Sequence, residues 1–328
     1  MAETLISPGV LARENDSSQI TSQPVQAGAA IVGPTVKGNV NIPTLVTTYS
    51  EYLANFGSTF TSGSDEYSFL TSISAFNYFQ NGGTSLLVTK VASGSFSAAT
   101  SSIIAASAST DNAFTLKTLG EGTIMNSTST EGTNGSLPSG TVDNVRWEIV
   151  NPDISNGVFS VIIRRGNDTN QNKVILETFT NVSLDPKSPN YVARVIGDQT
   201  QTLQGSGTAD PYLQTTGNYP NGSRFVRVSS VDKKTPDYFD NNGVAKNEFT
   251  SSIPLAQSGT FGTATGNILT GTGKYYSDIS DTDSQGLLGT NYTDALNLLA
   301  NKDDYRYNII TAPGLIYENG ATQKTALN

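Results

Sequence analysis

The stretch of residues 27–91 constrains the fold most, because its pattern predicts a compact β-α-α-β unit. It opens with the short apolar run 29–34, which ends in Gly-Pro, and a proline has no N–H to donate to a continuing strand. It closes with the apolar run 86–91, which is too short for a helix and predicts a buried strand. The rest of the chain is attached to this unit or inserted into it.

Two helices are predicted between these strands. Residues 47–57 begin with two threonine hydroxyls and end in a glycine, which are the start and stop signals of a short helix. Residues 65–80 predict a second helix, since apolar side chains recur there at three- and four-residue steps, namely Phe69, Leu70, Ile73, Phe76 and Phe79. The following Asn-Gly-Gly predicts a left-handed cap.

Composition limits the class of protein. The chain has 328 residues, a length that suggests about two domains, and 36% of them are hydrophobic. Ser, Thr, Asn and Gly are abundant instead, which favours turns and exposed strands over a helical enzyme. The net charge is -9 and the basic residues form no dense run, so we expect no nucleic-acid binding.

The sequence contains neither cysteine nor histidine. Disulfides, thiolate metal sites, the usual zinc sites and the Ser-His-Asp and Cys-His nucleophile systems are therefore excluded. We expect no cofactor and no enzymatic activity. No apolar run approaches the roughly 18 residues of a membrane helix, so we expect no direct membrane insertion. The start of the chain lacks the basic and apolar regions of a signal peptide.

Residues 1–26 predict an extended N-terminal arm. One strand is predicted there, over residues 9–14, between Pro8 and a polar run. A terminal strand has no local partner, and the common outcome is a frayed or edge-packed tail. The alternative is a strand donated to the sheet edge of a neighbouring subunit, where each backbone hydrogen bond contributes about 0.5–1.5 kcal/mol.

The composition changes after residue 91. Residues 92–102 are small and polar, which is typical of a linker, and residues 257–273 have a similar composition. Between them the sequence predicts short strands, several of which alternate with the two-residue period, at residues 113–119, 145–150, 158–165, 173–179, 191–196 and 224–231. Asn156-Gly157 predicts a hairpin. We interpret this part as an antiparallel sandwich or barrel-like domain.

The pattern of the first unit returns near the end, where residues 291–300 predict a capped helix and residues 307–314 a strand. The predicted fold class is therefore α+β, with an inner α/β domain interrupted by a large β-rich insertion. We expect the arm at 1–26, the inner domain at 27–93 and 287–328, and the insertion at 94–286. Because only one helix and one strand follow the insertion, the inner domain is expected to be C-terminally incomplete.

Several short patterns resemble calcium-, phosphate- or sugar-binding motifs, but none of them meets the requirements of its motif. Asp278, Asp281 and Asp283 resemble part of a calcium loop, but Tyr292 stands where a bidentate Glu is required, which favours a solvated acidic turn. The glycine pairs at 205–207 and 271–273 lack the other features of a phosphate loop. Trp147, the only tryptophan, lies in an alternating strand and is predicted to be core rather than a sugar-binding platform.

Five segments resemble the contractile phage tail sheath protein family. Residues 159–192 resemble its strand pair followed by the run Glu-x-Phe-x-Asn-hydrophobic-Ser-x-Asp-Pro-x-Ser-x-x-Tyr-Val, which begins here at Glu177. Residues 6–10, 28–34 and 76–83 are similar to its arm and first α/β segment. Residues 309–315 resemble the strand that re-enters the inner domain. The resemblance covers most of the chain, in order, but the family continues beyond this last strand.

The resemblance implies a structural subunit of a contractile tail sheath in the virion tail, assembled in the host cytoplasm. Such a subunit forms hexameric rings stacked around a tail tube, with tube, baseplate and tail terminator proteins as partners. Contraction would drive the tube through the host cell envelope. The arm would then be exchanged between subunits through Ser7, Pro8, Gly9, Val10, Leu11, Ala12, Arg13 and Glu14. A bacteriocin or secretion-type sheath is an alternative, and a β-rich virion adhesin that binds host glycans is another, of a different class.

Overall fold

The computed structural model describes residues 25–62, 65–106, 110–128, 130–268, 279–280, 283–317 and 321–327. Its strands, in chain order, are β1 Val25–Gly33, β2 Thr44–Val46, β3 Thr59–Ser62, β4 Asp65–Ser68, β5 Leu86–Lys90, β6 Ala98–Ser101, β7 Phe114–Glu121, β8 Val145–Asp153, β9 Val158–Arg165, β10 Ile175–Ser183, β11 Thr200–Gln204, β12 Tyr212–Thr216, β13 Val226–Val231, β14 Gln257–Gly262, β15 Asp283–Ser284, β16 Leu287–Leu288 and β17 Tyr305–Thr311. Its α-helices are α1 Tyr49–Phe56, α2 Leu70–Gln80, α3 Val192–Ile196, α4 Asn247–Thr250, α5 Thr293–Leu299 and α6 Ala321–Leu327. The protein is α+β, as the sequence predicts.

Four strands form a small sheet in the order β17-β1-β5-β2. The central strand β1 runs parallel to both β17 and β5, and β2 is antiparallel to β5. Helices cover both faces of this sheet. Alternate residues of β1 point to opposite sides, so the strand packs against helices on each face. Ile31 packs with α1 and α2 on one face, whereas Val32 packs with α5 on the other.

Seven strands form a large antiparallel sheet in the order β10-β9-β8-β14-β6-β7-β13. These strands lie in the sequence between β5 and β17 of the small sheet. The predicted hairpin is confirmed, since β8 and β9 pair on either side of Asn156-Gly157, and Gly157 has a φ of +67° that favours glycine. Trp147 is fully buried in the core of this sheet, which confirms the core prediction.

The two stretches predicted as linkers are partly wrong, because each contains a strand of the large sheet. β6 and β14 are adjacent central strands, with Phe261 opposite Ser101. Ala99 and Phe261 are both fully buried. Small residues are typical of linkers when read locally, but here they allow close packing, since Gly259 lies directly against the ring of Trp147. Residues 269–273 lie outside the described part of the chain.

Two further predictions differ from the structure. Residues 65–68 form β4 instead of the first turn of a helix, because Tyr67 stacks on Phe60 across the β3–β4 pair with ring centroids 5.9 Å apart. Residues 192–196 form the helix α3 instead of a strand, and Val192 and Ile196 are buried at helical spacing. A short apolar run fits either structure, and tertiary packing decides between them.

The other predicted helices and caps are present. Thr48 caps α1, with its hydroxyl accepting a hydrogen bond from the N–H of Glu51 at 3.1 Å. α2 ends at Gln80 with Asn81 as its C-cap, and the N–H of Gly83 donates to the carbonyl of Tyr78. The predicted helix at 291–300 is a 3-10 turn, Gly289–Tyr292, followed by α5. No helix in the described part of the chain is long and apolar enough to cross a membrane.

Candidate functional site

The outer edge of β17 is the most distinctive exposed feature of the small sheet. β17 pairs with β1 in parallel register from Tyr305 opposite Val25 to Thr311 opposite Ile31. Among the described residues, no strand pairs with its other edge. Alternate backbone N–H and C=O groups of an unpaired edge face outward, and such an edge can accept a further strand.

Two adjacent apolar side chains are exposed in the second half of β17, between Asn308 and Thr311. The side chain of Ile309 is 66% exposed and that of Ile310 is 39% exposed, on opposite faces of the strand. Proteins usually shorten, charge or cover an edge strand to prevent pairing with another chain. β17 has seven residues with one charged side chain, Arg306, so its edge is suited to pairing.

The opposite edge of the small sheet is protected by contrast. β2 has only three residues, and Pro43 immediately precedes it. A proline donates no hydrogen bond to an added strand. The small sheet therefore offers one edge to an incoming strand, and that edge is β17.

The first residues of β17 are held firmly in place. The side chain of Tyr305 is buried, and burial next to the charge of Asp304 raises the pKa of its phenol to about 12. The phenol of Tyr307 donates a hydrogen bond to the carbonyl of Leu299 in α5 at 3.0 Å. The N–H of Val25 donates to the carbonyl of Asp304 at 2.9 Å. The edge is therefore presented on a rigid support rather than on a loop.

The segment that follows β17 exposes further apolar side chains. Ile316 and Tyr317 are exposed, and so is Leu327 in α6. This segment is tied to the protein by Gln323, which is buried and whose amide donates to the carbonyl of Ser280 at 2.7 Å. Exposed apolar side chains thus recur in the sequence that follows the edge strand.

The predicted exchange residues, Ser7 to Glu14, lie outside the described residues. The structure therefore does not bring them to any site, and the exchange remains a prediction. The sequence pattern predicts a strand at Ile309-Ile310 but does not show that these side chains are exposed. Adjacent β-branched residues fit a strand buried on both faces as well as an exposed edge strand, so this doublet alone does not identify an edge.

The other features singled out in the sequence are the acidic turn at residues 278–283 and Trp147. Asp278 and Asp281 lie outside the described residues, and Asp283 begins β15. Within the described part of the chain, no group of three His, Cys, Asp or Glu residues could hold a metal ion. The indole N–H of Trp147 donates to the carbonyl of Thr260 at 3.3 Å inside the core, so its ring is not available to stack on a sugar.

The solved structures that this chain is similar to include two sheath tail proteins. The one from Listeria innocua has a TM-score of 0.42 and 9% sequence identity, and the match covers 93% of this chain and 44% of that protein. The one from Desulfitobacterium hafniense has a TM-score of 0.25 and 10% identity, and the match covers 68% of this chain and 39% of that protein. The chain thus spans less than half the length of either protein. No family model and no curated protein sequence matches it.

Proposed function

We propose that this chain is a structural subunit of a contractile tail sheath and that it assembles by sharing strands between subunits. The observation that carries the proposal is the outer edge of β17, which pairs with no strand among the described residues and which exposes Ile309 and Ile310. β17 ends in the residues that resemble the re-entering strand of the sheath family. The arm at residues 7–14, which resembles the arm of the same family, supplies a strand of suitable length.

The proposed contact adds the arm of one subunit to β17 of the next. Five or six backbone hydrogen bonds would form along the pair, each contributing about 0.5–1.5 kcal/mol. The side chains of the added strand, including Val10 and Leu11, would cover Ile309 and Ile310 on the two faces of the sheet. A backbone-paired strand of this kind tethers two rigid bodies while leaving the chain between them free to bend.

The tether suits a machine that changes shape. In the proposed assembly, hexameric rings stack helically around a tail tube in the virion tail, between baseplate and terminator proteins. The extended form is metastable, and new contacts between subunits in the contracted form supply the free energy that drives the tube through the host cell envelope. No enzymatic step is required of the subunit.

The experiment is negative-stain electron microscopy of the concentrated protein, with any C-terminal continuation restored. The variants are a deletion of residues 1–14 and Ile309→Lys, which places a charge on the proposed acceptor edge. Val244→Lys is the matched control, because Val244 is similarly exposed, at 61%, but lies in a loop far from β17 in the sequence.

We expect striated tubes from the wild type and from Val244→Lys, and folded monomers from the other two variants. Circular dichroism checks that the monomers are folded. Tubes of normal length from both the deletion and Ile309→Lys would refute assembly through shared strands. Discrete trimers from the wild type would favour the adhesin alternative.

A further inference from the structure

A polar cleft of about 800 Å³ lies between the small and large sheets. Residues 37–39, which follow the carboxyl end of β1, form one wall, and residues 117–121 of β7 form another. Arg224 and Arg227, at the start of β13, line it as well. In α/β sheets, ligands bind beyond the carboxyl ends of parallel strands, and this cleft occupies that position.

The acidic side chains of the cleft are already neutralised. The ammonium of Lys37 lies 3.7 Å from a carboxylate oxygen of Asp143, and burial lowers the pKa of Lys37. Glu121 accepts a hydrogen bond from the N–H of Val40 at 3.1 Å. The charge of Glu121 also acts on Lys90, which ends β5 and whose pKa burial lowers to about 8. The charge of each carboxylate is therefore opposed by that of a buried lysine, Lys37 for Asp143 and Lys90 for Glu121.

The remaining cations that line the cleft are Lys117, Arg224 and Arg227. Lys117 and Arg227 lie directly opposite each other on β7 and β13, and both are half-buried. Within the described part of the chain, neither forms an ion pair, although the charge of Asp198 opposes the lowering of the pKa of Arg227 by burial. Arg224 is exposed beside them, and its backbone N–H donates to Glu177 at 2.8 Å. Like charges directly opposite on paired strands are destabilising.

The large sheet contains a second pair of opposed cations, and there the charges are compensated. Arg146 and Arg164 lie opposite each other on β8 and β9, and both are fully buried. Asp168 accepts two hydrogen bonds from Arg164, at 2.8 and 2.9 Å. Glu148 accepts another from Arg164 at 3.0 Å, and Glu131 pairs with Arg146. This pair of opposed cations is thus held by direct ion pairs with carboxylates, whereas Lys117 and Arg227 form no ion pair among the described residues.

We propose that the cleft binds a small free oxyanion of the phosphate class between Lys117 and Arg227. A guanidinium binds phosphate oxygens in bidentate fashion, and an ammonium adds a point charge. Asn39 lines the same cleft, and its amide oxygen is buried with no hydrogen-bond partner among the described residues. This oxygen accepts the proton of a monohydrogen phosphate. The site is independent of the edge of β17 and goes beyond the proposed assembly.

Binding is measured by isothermal titration calorimetry with inorganic phosphate and with pyrophosphate at constant ionic strength. We expect Lys117→Gln and Arg227→Gln each to weaken binding by about tenfold or more. Lys234→Gln is the control, since it removes the same charge from an exposed residue outside the cleft. Equal affinity of all four proteins, or no binding to the wild type, would overturn the proposal.

Thermal unfolding gives a second readout, and its phosphate-free arm does not depend on binding. Without phosphate, Lys117→Gln should melt at a higher temperature than the wild type, because it removes the repulsion from Arg227. With phosphate, the wild type should gain more stability than Lys117→Gln. An equal gain for both proteins contradicts the proposal. Self-association that needs Arg227 without any phosphate binding would instead assign the cleft to a carboxylate of a second copy.

Discussion

At the scale of single residues, the fold depends on a few buried charges that form ion pairs with opposite charges. Asp168 is the centre of the largest such network, and its side chain is completely buried. It binds Arg164 through both carboxylate oxygens, lies 3.5 Å from Arg146, and accepts the N–H of Val174 at 3.0 Å. The network joins β8 and β9 to the loop that leads into β10.

Replacing Asp168 tests this role. Asp168→Asn leaves two buried guanidinium groups short of one negative charge, so we expect a loss of about 3–5 kcal/mol in the free energy of unfolding. Urea denaturation measures it. Asp237→Asn is the control, because its ion pair with Lys187 is exposed to solvent, and little change is expected there. Similar losses in both variants would show that burial of the network is unimportant.

At the scale of elements, pairing between distant strands decides the role of weakly patterned segments. β14 lies between β8 and β6, so it joins the two halves of the large sheet. Its Gly259 lies opposite Trp147 in the register of β8. A Cβ atom there would approach Cζ2 of Trp147 to 2.4 Å and the hydroxyl of Ser102 to 2.3 Å. A glycine is therefore required by packing, although its backbone has ordinary torsions.

The same strand offers a matched test of this packing. Gly259→Ala should lower the free energy of unfolding by about 1–3 kcal/mol, because the core must shift to admit a methyl group. Gly262→Ala, in the same strand, meets no atom within 4 Å and should change it by no more than about 0.5 kcal/mol. The fluorescence of Trp147, the only tryptophan, reports both transitions. Equal stability of the two variants would contradict the close approach.

At the scale of the whole molecule, a hairpin links the two sheets. β11 and β12 lie in the sequence among the strands of the large sheet, yet Leu203 and Leu213 of this hairpin pack against the core under α5. The loop between β11 and β12 is fixed by Asp294 of α5, which accepts hydrogen bonds from Ser206 and Gly207 at 2.5 and 2.8 Å. The hairpin therefore connects the large-sheet part of the chain to the core of the small sheet.

Removing the hydrogen bonds of Asp294 should destabilise this hairpin alone. Asp294→Ala deletes two hydrogen bonds of about 1 kcal/mol each, so amide hydrogen exchange should become faster in β11 and β12. The amides of β8 and β9 should keep their protection. Asp303→Ala is the control, since Asp303 is exposed and lies in a turn. Unchanged exchange in β11 and β12 would show that Leu203 and Leu213 suffice to hold the hairpin.

The sequence by itself determined the features that depend on neighbouring residues. It predicted the α+β class, the caps of α1 and α2, the hairpin at Asn156-Gly157 and the buried Trp147. It also excluded histidine and cysteine chemistry in a chain that contains neither. Hydrophobic period, capping hydroxyls and glycine torsions act over a few residues, so they can be read without knowing the fold.

Only the tertiary structure decided the features that depend on distant partners. β6 and β14 have the composition of linkers and become central strands, because they pair with each other across more than a hundred positions of sequence. The apolar run at 192–196 became α3, and β17 became an edge with exposed Ile309 and Ile310. The opposed cations Lys117 and Arg227 likewise meet only through strand register. Pairing energy comes from surfaces that the chain brings together on folding, and no local pattern records which surfaces those are.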